Sequence, residues 1–133
     1  MPFTLGPKSL SRLVGVHPDL VRMVQLAITL SAVDFAVLPS VRTQAQEAEE
    51  VKEHKSTTMH SRHLPNLQGY SCAVDLGAWV GGKLTWEPVT IYASIWQAMQ
   101  SAADQLQLPI EWGGAWVTFK DYDHFQLPWA SYP

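Results

Sequence analysis

The sequence predicts an α+β fold, with a small antiparallel sheet packed against helices. Three observations predict it. Two stretches repeat apolar residues at helical spacing, several short stretches read as strands, and a Gly-Gly pair joins two of the strand candidates as a hairpin. Helices and strands are mixed along the chain, and the hairpin is the one firm strand link, which favours antiparallel pairing.

The first strong element covers 18–30. Pro18 suits the first helical position, and Leu20, Val21, Val24, Ala27 and Ile28 fall on one stripe. Residues 35–38 read as a short buried strand closed by Pro39. Thr43 with Gln46 three residues later fits a capping box, opening an exposed helix to about residue 55. Residues 56–71 read as loop, because Pro65, Asn66 and Gly69 break any period. Residues 72–80 and 83–86 are strands joined at Gly81-Gly82. Pro88 precedes a second long helix, 89–107, with Ile91, Ile95, Ala98, Met99 and Ala102 at helical spacing. The last strand candidates are 108–112 and 123–127.

The length of 133 residues is that of one domain, and 47% hydrophobic with 16% charged residues is a globular balance. A net charge of −3 gives no basic footprint, so nucleic acid is not an expected partner. Cys72 is the only cysteine, which excludes an intrachain disulfide and a cysteine-rich metal site; a metal here must be held by imidazole and carboxylate. No stretch reaches the ~20 apolar residues that span a bilayer, and no basic, apolar secretory signal opens the sequence. Synthesis in the cytoplasm without membrane insertion is therefore expected.

Five histidines occur. His17 reads as a capping or surface residue beside Pro18, and His54 as a cation suited to a helix C-terminus. His124 shares a strand face with Gln126, while Phe125 and Leu127 point the other way into the core. Asp75 likewise shares a face with Ala73 and Gly77, small neighbours expected to leave a cavity over the carboxylate. An aspartate in an apolar strand is costly unless paired or metal-bound. These residues alone leave two readings open, a buried Asp75–His124 pair or a metal site.

The order of motifs resembles a known family. Ser61-Arg62-His63-Leu64 followed by Ala73-Val74-Asp75-Leu76 resembles the Ser-x-His and Ala-x-Asp signature of the D-alanyl-D-alanine carboxypeptidase (VanY-like) zinc metallopeptidase superfamily, which includes phage endolysins. Trp112-Gly113-Gly114-Ala115-Trp116 and the run from Phe119 through Asp121 and His124 to Leu127 resemble its C-terminal signature. With the upstream Gly15 to Leu20 segment and Val33-Asp34-Phe35, the branch most resembled is the phage L-alanyl-D-glutamate endopeptidases.

The resemblance implies a hedgehog/DD-peptidase-like fold, one zinc peptidase catalytic domain over 1–133, and a role for each matching residue. His63, Asp75 and His124 match the zinc ligands; three protein ligands leave a position for water, as a catalytic zinc requires. His60 is the rival to His63, but only His63 has a serine two residues earlier. Asp121 matches the catalytic carboxylate, a general base that returns its proton to the leaving amine; its alternative is a polar turn residue. Asp123 is the rival base, expected to alternate away from His124. Arg42 matches an arginine that stabilises the oxyanion or clamps a substrate carboxylate, its alternative being support of the helix that follows. Ser61 matches a substrate-contact position. Trp112 and Trp116 are expected as cleft walls, or as core or rim residues.

Three departures from the family pattern stand out. His63 and Asp75 lie twelve positions apart, five more than usual, with the extra residues in 65–70 beside the metal. Ser71 stands where a glycine is usual, and Ser40-Val41 replace Glu-Gly before Arg42. The expected activity is zinc-dependent hydrolysis of the L-Ala–D-Glu bond in peptidoglycan stem peptides by a monomer. Such an enzyme is held in the host cytoplasm until release to the wall. The alternatives are a D-alanyl-D-alanine carboxypeptidase and a non-catalytic zinc-bearing interaction module.

Overall fold

A computed structural model describes residues 2–39, 41, 61–118 and 120–133. Among these, helices α1 (Pro7–Arg12), α2 (Pro18–Leu30) and α3 (Thr90–Leu106) pack against strands β1 (Phe35–Val37), β2 (Ala73–Val80), β3 (Lys83–Thr85), β4 (Glu111–Trp112) and β5 (His124–Gln126). Every strand pair is antiparallel, in the order β1-β2-β5-β4 with β3 also on β2. The α+β class with a small antiparallel sheet is therefore what the chain adopts. Arg42, His54, His60 and the expected helix over 43–55 lie outside the described residues.

α2 starts on Pro18, capped by His17, whose Nδ1 accepts the Asp19 amide at 3.1 Å. Its buried stripe is Leu20, Met23, Val24, Ala27 and Ile28, packed on α3, which buries Tyr92, Ile95, Ala98, Met99, Ala102 and Ala103. Both helices lie over the sheet face formed by Val37, Val74, Leu76, Ala78 and Phe125, which closes the core. The opposite face, carrying Asp75 and His124, is left for the site.

β2 is the central strand, and alternate residues bond to opposite sides of it. Asp75 and Trp79 bond towards β1, through Leu38 N–H to Asp75 O and Trp79 N–H to Asp34 O, each 2.9 Å. Leu76 and Ala78 bond the other way, Leu76 to Asp123 O at 2.8 Å and Ala78 N–H to the Tyr92 hydroxyl at 3.1 Å. The Tyr92 hydroxyl donates in turn to Thr85 O at 2.8 Å, so it bridges β2 and β3 just beyond the end of β5. Gly81 and Gly82, at φ +62° and +80°, make the hairpin turn that side chains resist.

Several elements differ from expectation for local reasons. The strand expected over 108–112 shrinks to Glu111–Trp112, because Gln107 turns left-handed (φ 57°) and Leu108 N–H caps α3 on Ala103 O at 2.9 Å. The strand expected over 123–127 begins at His124, since Asp123 lies in the preceding turn. α1 and the 3-10 turn Gly113–Ala115 are too short to show a period. The face of Gly77 is no cavity: a side chain there would collide with Leu84 and touch Leu38.

The extra residues in 65–70 fold back on themselves. Asn66 accepts at its Oδ1 from the amides of Gln68 (3.0 Å) and Tyr70 (3.1 Å), and its own amide bonds Tyr70 O at 2.8 Å. Tyr70 packs edge-on to His17 at 5.4 Å, so the added length rests against the start of α2.

Replacing Tyr92 by Phe removes both bridging hydrogen bonds and strands the Ala78 amide and Thr85 carbonyl. The expected loss is about 1–3 kcal/mol of unfolding free energy with the fold intact, read by urea titration.

Candidate metal centre

Asp75 and His124 are directly opposed partners in the β2–β5 pairing, which sets both side chains on one face. His63 comes from a separate turn. The Ser61 hydroxyl accepts the His63 amide at 3.1 Å and Ser61 O accepts the Leu64 amide at 3.1 Å, closing the turn that aims His63 inward. Arg62 anchors that turn from beneath. It is 4% exposed, donates to Leu127 O (3.2 Å) and Tyr132 O (2.6 Å), and stacks its guanidinium 4.0 Å from the Trp129 ring.

The three side chains converge. His63 Nε2 and His124 Nδ1 each lie 3.4 Å from Asp75 Oδ1, and 3.2 Å from each other. In a tetrahedral site with bonds of ~2.0–2.1 Å, neighbouring ligand atoms stand about 3.3–3.4 Å apart. The triangle therefore has the dimensions of three corners around one ion, and the cluster could hold a metal. His63 and His124 are buried, at 3% and 5% exposure, so the donors are held by the fold and not by solvent.

A second layer orients His124. Its Nε2 lies 2.7 Å from Gln126 Oε1, and Gln126 Nε2 donates to Glu111 Oε1 at 3.1 Å. The carboxylate of Glu111 can only accept, so the Gln126 amide nitrogen faces it and the Gln126 oxygen faces His124. His124 Nε2 then carries hydrogen, which leaves Nδ1 with its lone pair toward Asp75 and His63. Strand alternation places Gln126 on the face of His124, but the relay through Glu111 needed the β4–β5 register.

The charges in the cluster act on one another across short distances. Burial alone pushes Asp75 toward its neutral form, but the charge of His63 and hydrogen bonds from His124 and His63 hold it well below the carboxylate range. Burial works against a charged His124, yet the Asp75 hydrogen bond and charge raise it above its ordinary value, with Gln126 and Asp121 adding.

Asp121 and Asp123 stand beside this cluster. Their carboxylate oxygens and that of Asp75 all lie within 4.8 Å of one another. Asp123 does not turn away from the site as strand alternation predicts, because residues 122 and 123 form a turn. Burial, the hydrogen bond with Asp121 and the negative charges of Asp75 and Asp121 push Asp123 up to about 9, and the two carboxyl groups share that hydrogen bond. The Gly113-Gly114 pair makes room for this segment. A side chain at 113 would collide with Asp121 O, and one at 114 with the Trp112 indole. The Asp121 amide bonds Gly113 O at 3.1 Å.

The two expected tryptophan walls separate. Trp116 is half-buried with its ring 5.2 Å from that of His124. Trp112 stacks on Trp96 and Phe125 and donates to Tyr122 O at 2.7 Å, so it supports the site from the core side. Arg62, Gln126 and Glu111 are the supporting residues that sequence reasoning did not single out.

Fold and cluster together define a small α+β protein with two histidines and an aspartate that could hold a metal, beside a pair of further carboxylates. A family model described as phage L-alanyl-D-glutamate peptidase matches residues 1–126, and the chain belongs to that family. It is 26% identical over 132 residues to the L-alanyl-D-glutamate peptidase of Escherichia phage T5, covering 99% of this chain and 94% of that one. The crystal structure of the L-Ala D-Glu endopeptidase ChiX of Serratia marcescens superposes with a TM-score of 0.85 at 42% identity. That match covers 96% of this chain and 91% of ChiX.

Two outcomes follow for metal binding. Gln126→Ala frees the His124 ring and should weaken affinity about 10- to 100-fold, measured by competition with a chelating dye. The second concerns pH. Without metal, the raised His124 stabilises the fold below about pH 6.5 and this is lost as pH rises; the depressed Asp75 stabilises it above about pH 4 and this is lost as pH falls. Metal competes with the His124 proton, so the drop in Tm on adding chelator should grow between pH 5.5 and 8.

Proposed function

We propose that this chain is a zinc-dependent peptidoglycan endopeptidase that hydrolyses the bond between L-Ala and D-Glu in stem peptides, during lysis of the host. The observation that carries the reading is the buried triangle of His63, Asp75 and His124 with Asp121 beside it. Two imidazoles and one carboxylate form a donor set suited to zinc, with three protein ligands and an open corner. Membership of the phage L-alanyl-D-glutamate peptidase family, and the names of its relatives, supply the substrate.

When bound, zinc supplies the Lewis acidity that makes water nucleophilic near neutral pH and polarises the scissile carbonyl. Asp121 takes the proton of the attacking water and returns it to the leaving amine of D-Glu. The hydrogen bond between Asp123 and Asp121 positions the Asp121 carboxyl group beside the cluster. Trp116 packs its ring against His124. Ser61 accepts the His63 amide and still has its hydroxyl proton for a substrate carbonyl, which fits a substrate-contact role. Arg42 is proposed as the cation that stabilises the oxyanion or holds a substrate carboxylate.

We assign residues 1–133 to one catalytic domain acting on the wall after release from the host cytoplasm. No helix among the described residues is long and apolar enough to cross a membrane.

Two measurements test the reading. Mass analysis of purified muropeptides after digestion should show glycan retaining L-Ala and release of peptides beginning with D-Glu; loss of a single terminal alanine would instead indicate a carboxypeptidase. Asp121→Ala should lower turnover about 10²- to 10⁴-fold while zinc content stays near one per chain. Full activity of that variant would remove Asp121 from the mechanism.

A further inference from the structure

Two openings lie on opposite edges of β2. One, of about 350 Å³, borders Asp121 and Asp123 at the gap between β5 and β3, with Trp86, Lys120 and Tyr92 around it. The other, a groove of about 670 Å³, lies at the β1 edge and is lined in part by Gly6, Lys8, Arg12, Asp34, Ala36 and Trp79. Trp79 falls on the same face of β2 as Asp75, four residues or about 13 Å along the strand. Ala36 is the register partner of Gly77, halfway between them. The cluster thus borders one opening through Asp121 and Asp123 and lies four residues along β2 from Trp79 in the other.

This arrangement gives the substrate a direction. Asp121 hands a proton to the leaving amine, so the D-Glu half must lie on the Asp121 side. The acyl half then runs across β2 toward β1, over Leu38 and Leu84, which cover Gly77. In peptidoglycan the acyl half is short: one alanine and a lactyl ether, after which comes the amino sugar. Those two chain units place the sugar roughly 7 Å from the scissile carbonyl. That is the level of Ala36, where the groove opens, and a second ring beyond it reaches Trp79.

We propose that the Trp79 groove binds the N-acetylated amino-sugar strand that carries the stem peptide, a reading that rests on the endopeptidase assignment. Its lining suits such a ligand. Trp79 is 43% exposed and offers an apolar platform for a sugar face. Ala36 and Gly6 leave room beside it, while Lys8, Arg12 and Asp34 offer donors and acceptors for hydroxyl and acetamido groups. The volume is that of a small-molecule cleft. The enzyme therefore reads glycan on one side of the metal and peptide on the other.

The test compares two substrates that share the same stem. One is the stem peptide with an N-acetyl cap on L-Ala; the other is that stem on a GlcNAc–MurNAc disaccharide. Trp79→Ala should raise KM about five- to tenfold for the glycan-linked substrate and leave kcat unchanged. It should not change hydrolysis of the capped peptide, and Trp79→Phe should recover most of the loss. Equal loss on both substrates, or no loss on either, overturns the proposal. So does a loss that appears only when the peptide is lengthened beyond D-Glu, which would reverse the direction. Titration of the disaccharide alone, followed by tryptophan fluorescence, reads the groove without catalysis. Saturable binding that disappears in Trp79→Ala supports the proposal, and absence of binding to the wild-type protein overturns it. Failure of the wild-type protein to cleave the capped peptide would instead strike the endopeptidase assignment.

Discussion

Everything at the centre of this molecule depends on the pairing of β2 with β5. That register sets Asp75 opposite His124 and, on the reverse of the same strands, Val74 opposite Phe125. One face becomes core and the other becomes the site. A slip of one residue would bury a carboxylate and an imidazole among the side chains of α2 and α3, so the hydrophobic pattern itself guards the geometry of the cluster.

Around that pairing the fold supplies rigidity in layers. Asp75 and His124 are fixed by backbone hydrogen bonds, and the His124 ring is fixed by Gln126, which is fixed by Glu111. His63 has no strand beneath it and depends on a turn made by Ser61 and anchored by Arg62. The cost of bringing two imidazoles and a carboxylate together out of water is offset by this network, because few of the groups must be ordered when a ligand arrives.

Much of this was legible in the chain. Strand alternation placed Asp75 and His124 on open faces, Pro18 and His17 marked the start of α2 at its observed residue, and Gly81-Gly82 marked the hairpin. What escaped prediction is where tertiary contacts override local pattern. Asp123 reads as a strand residue, but the turn over 122 and 123 swings it toward Asp121. Gly77 reads as empty space, but Leu84 arrives from β3 to fill it. Arg62 has no role in the sequence pattern beyond its place in the motif, because the carbonyls that receive it belong to Leu127 and Tyr132, far along the chain. His63 could be chosen over His60 by resemblance alone, since nothing in a loop's periodicity separates them.

The grip of Arg62 on the C-terminal segment has a further implication. A protease that nicked the backbone just after Leu127 would sever Trp129 and Tyr132 from the globule and release their hold on the guanidinium. The sheet would keep its pairings, while the start of α2 would lose the Tyr132 hydroxyl on Asp19 and the Tyr132 ring on His17. What would loosen is the turn bearing His63, more than sixty residues upstream. The tail thus works as a fastener for the turn that carries His63.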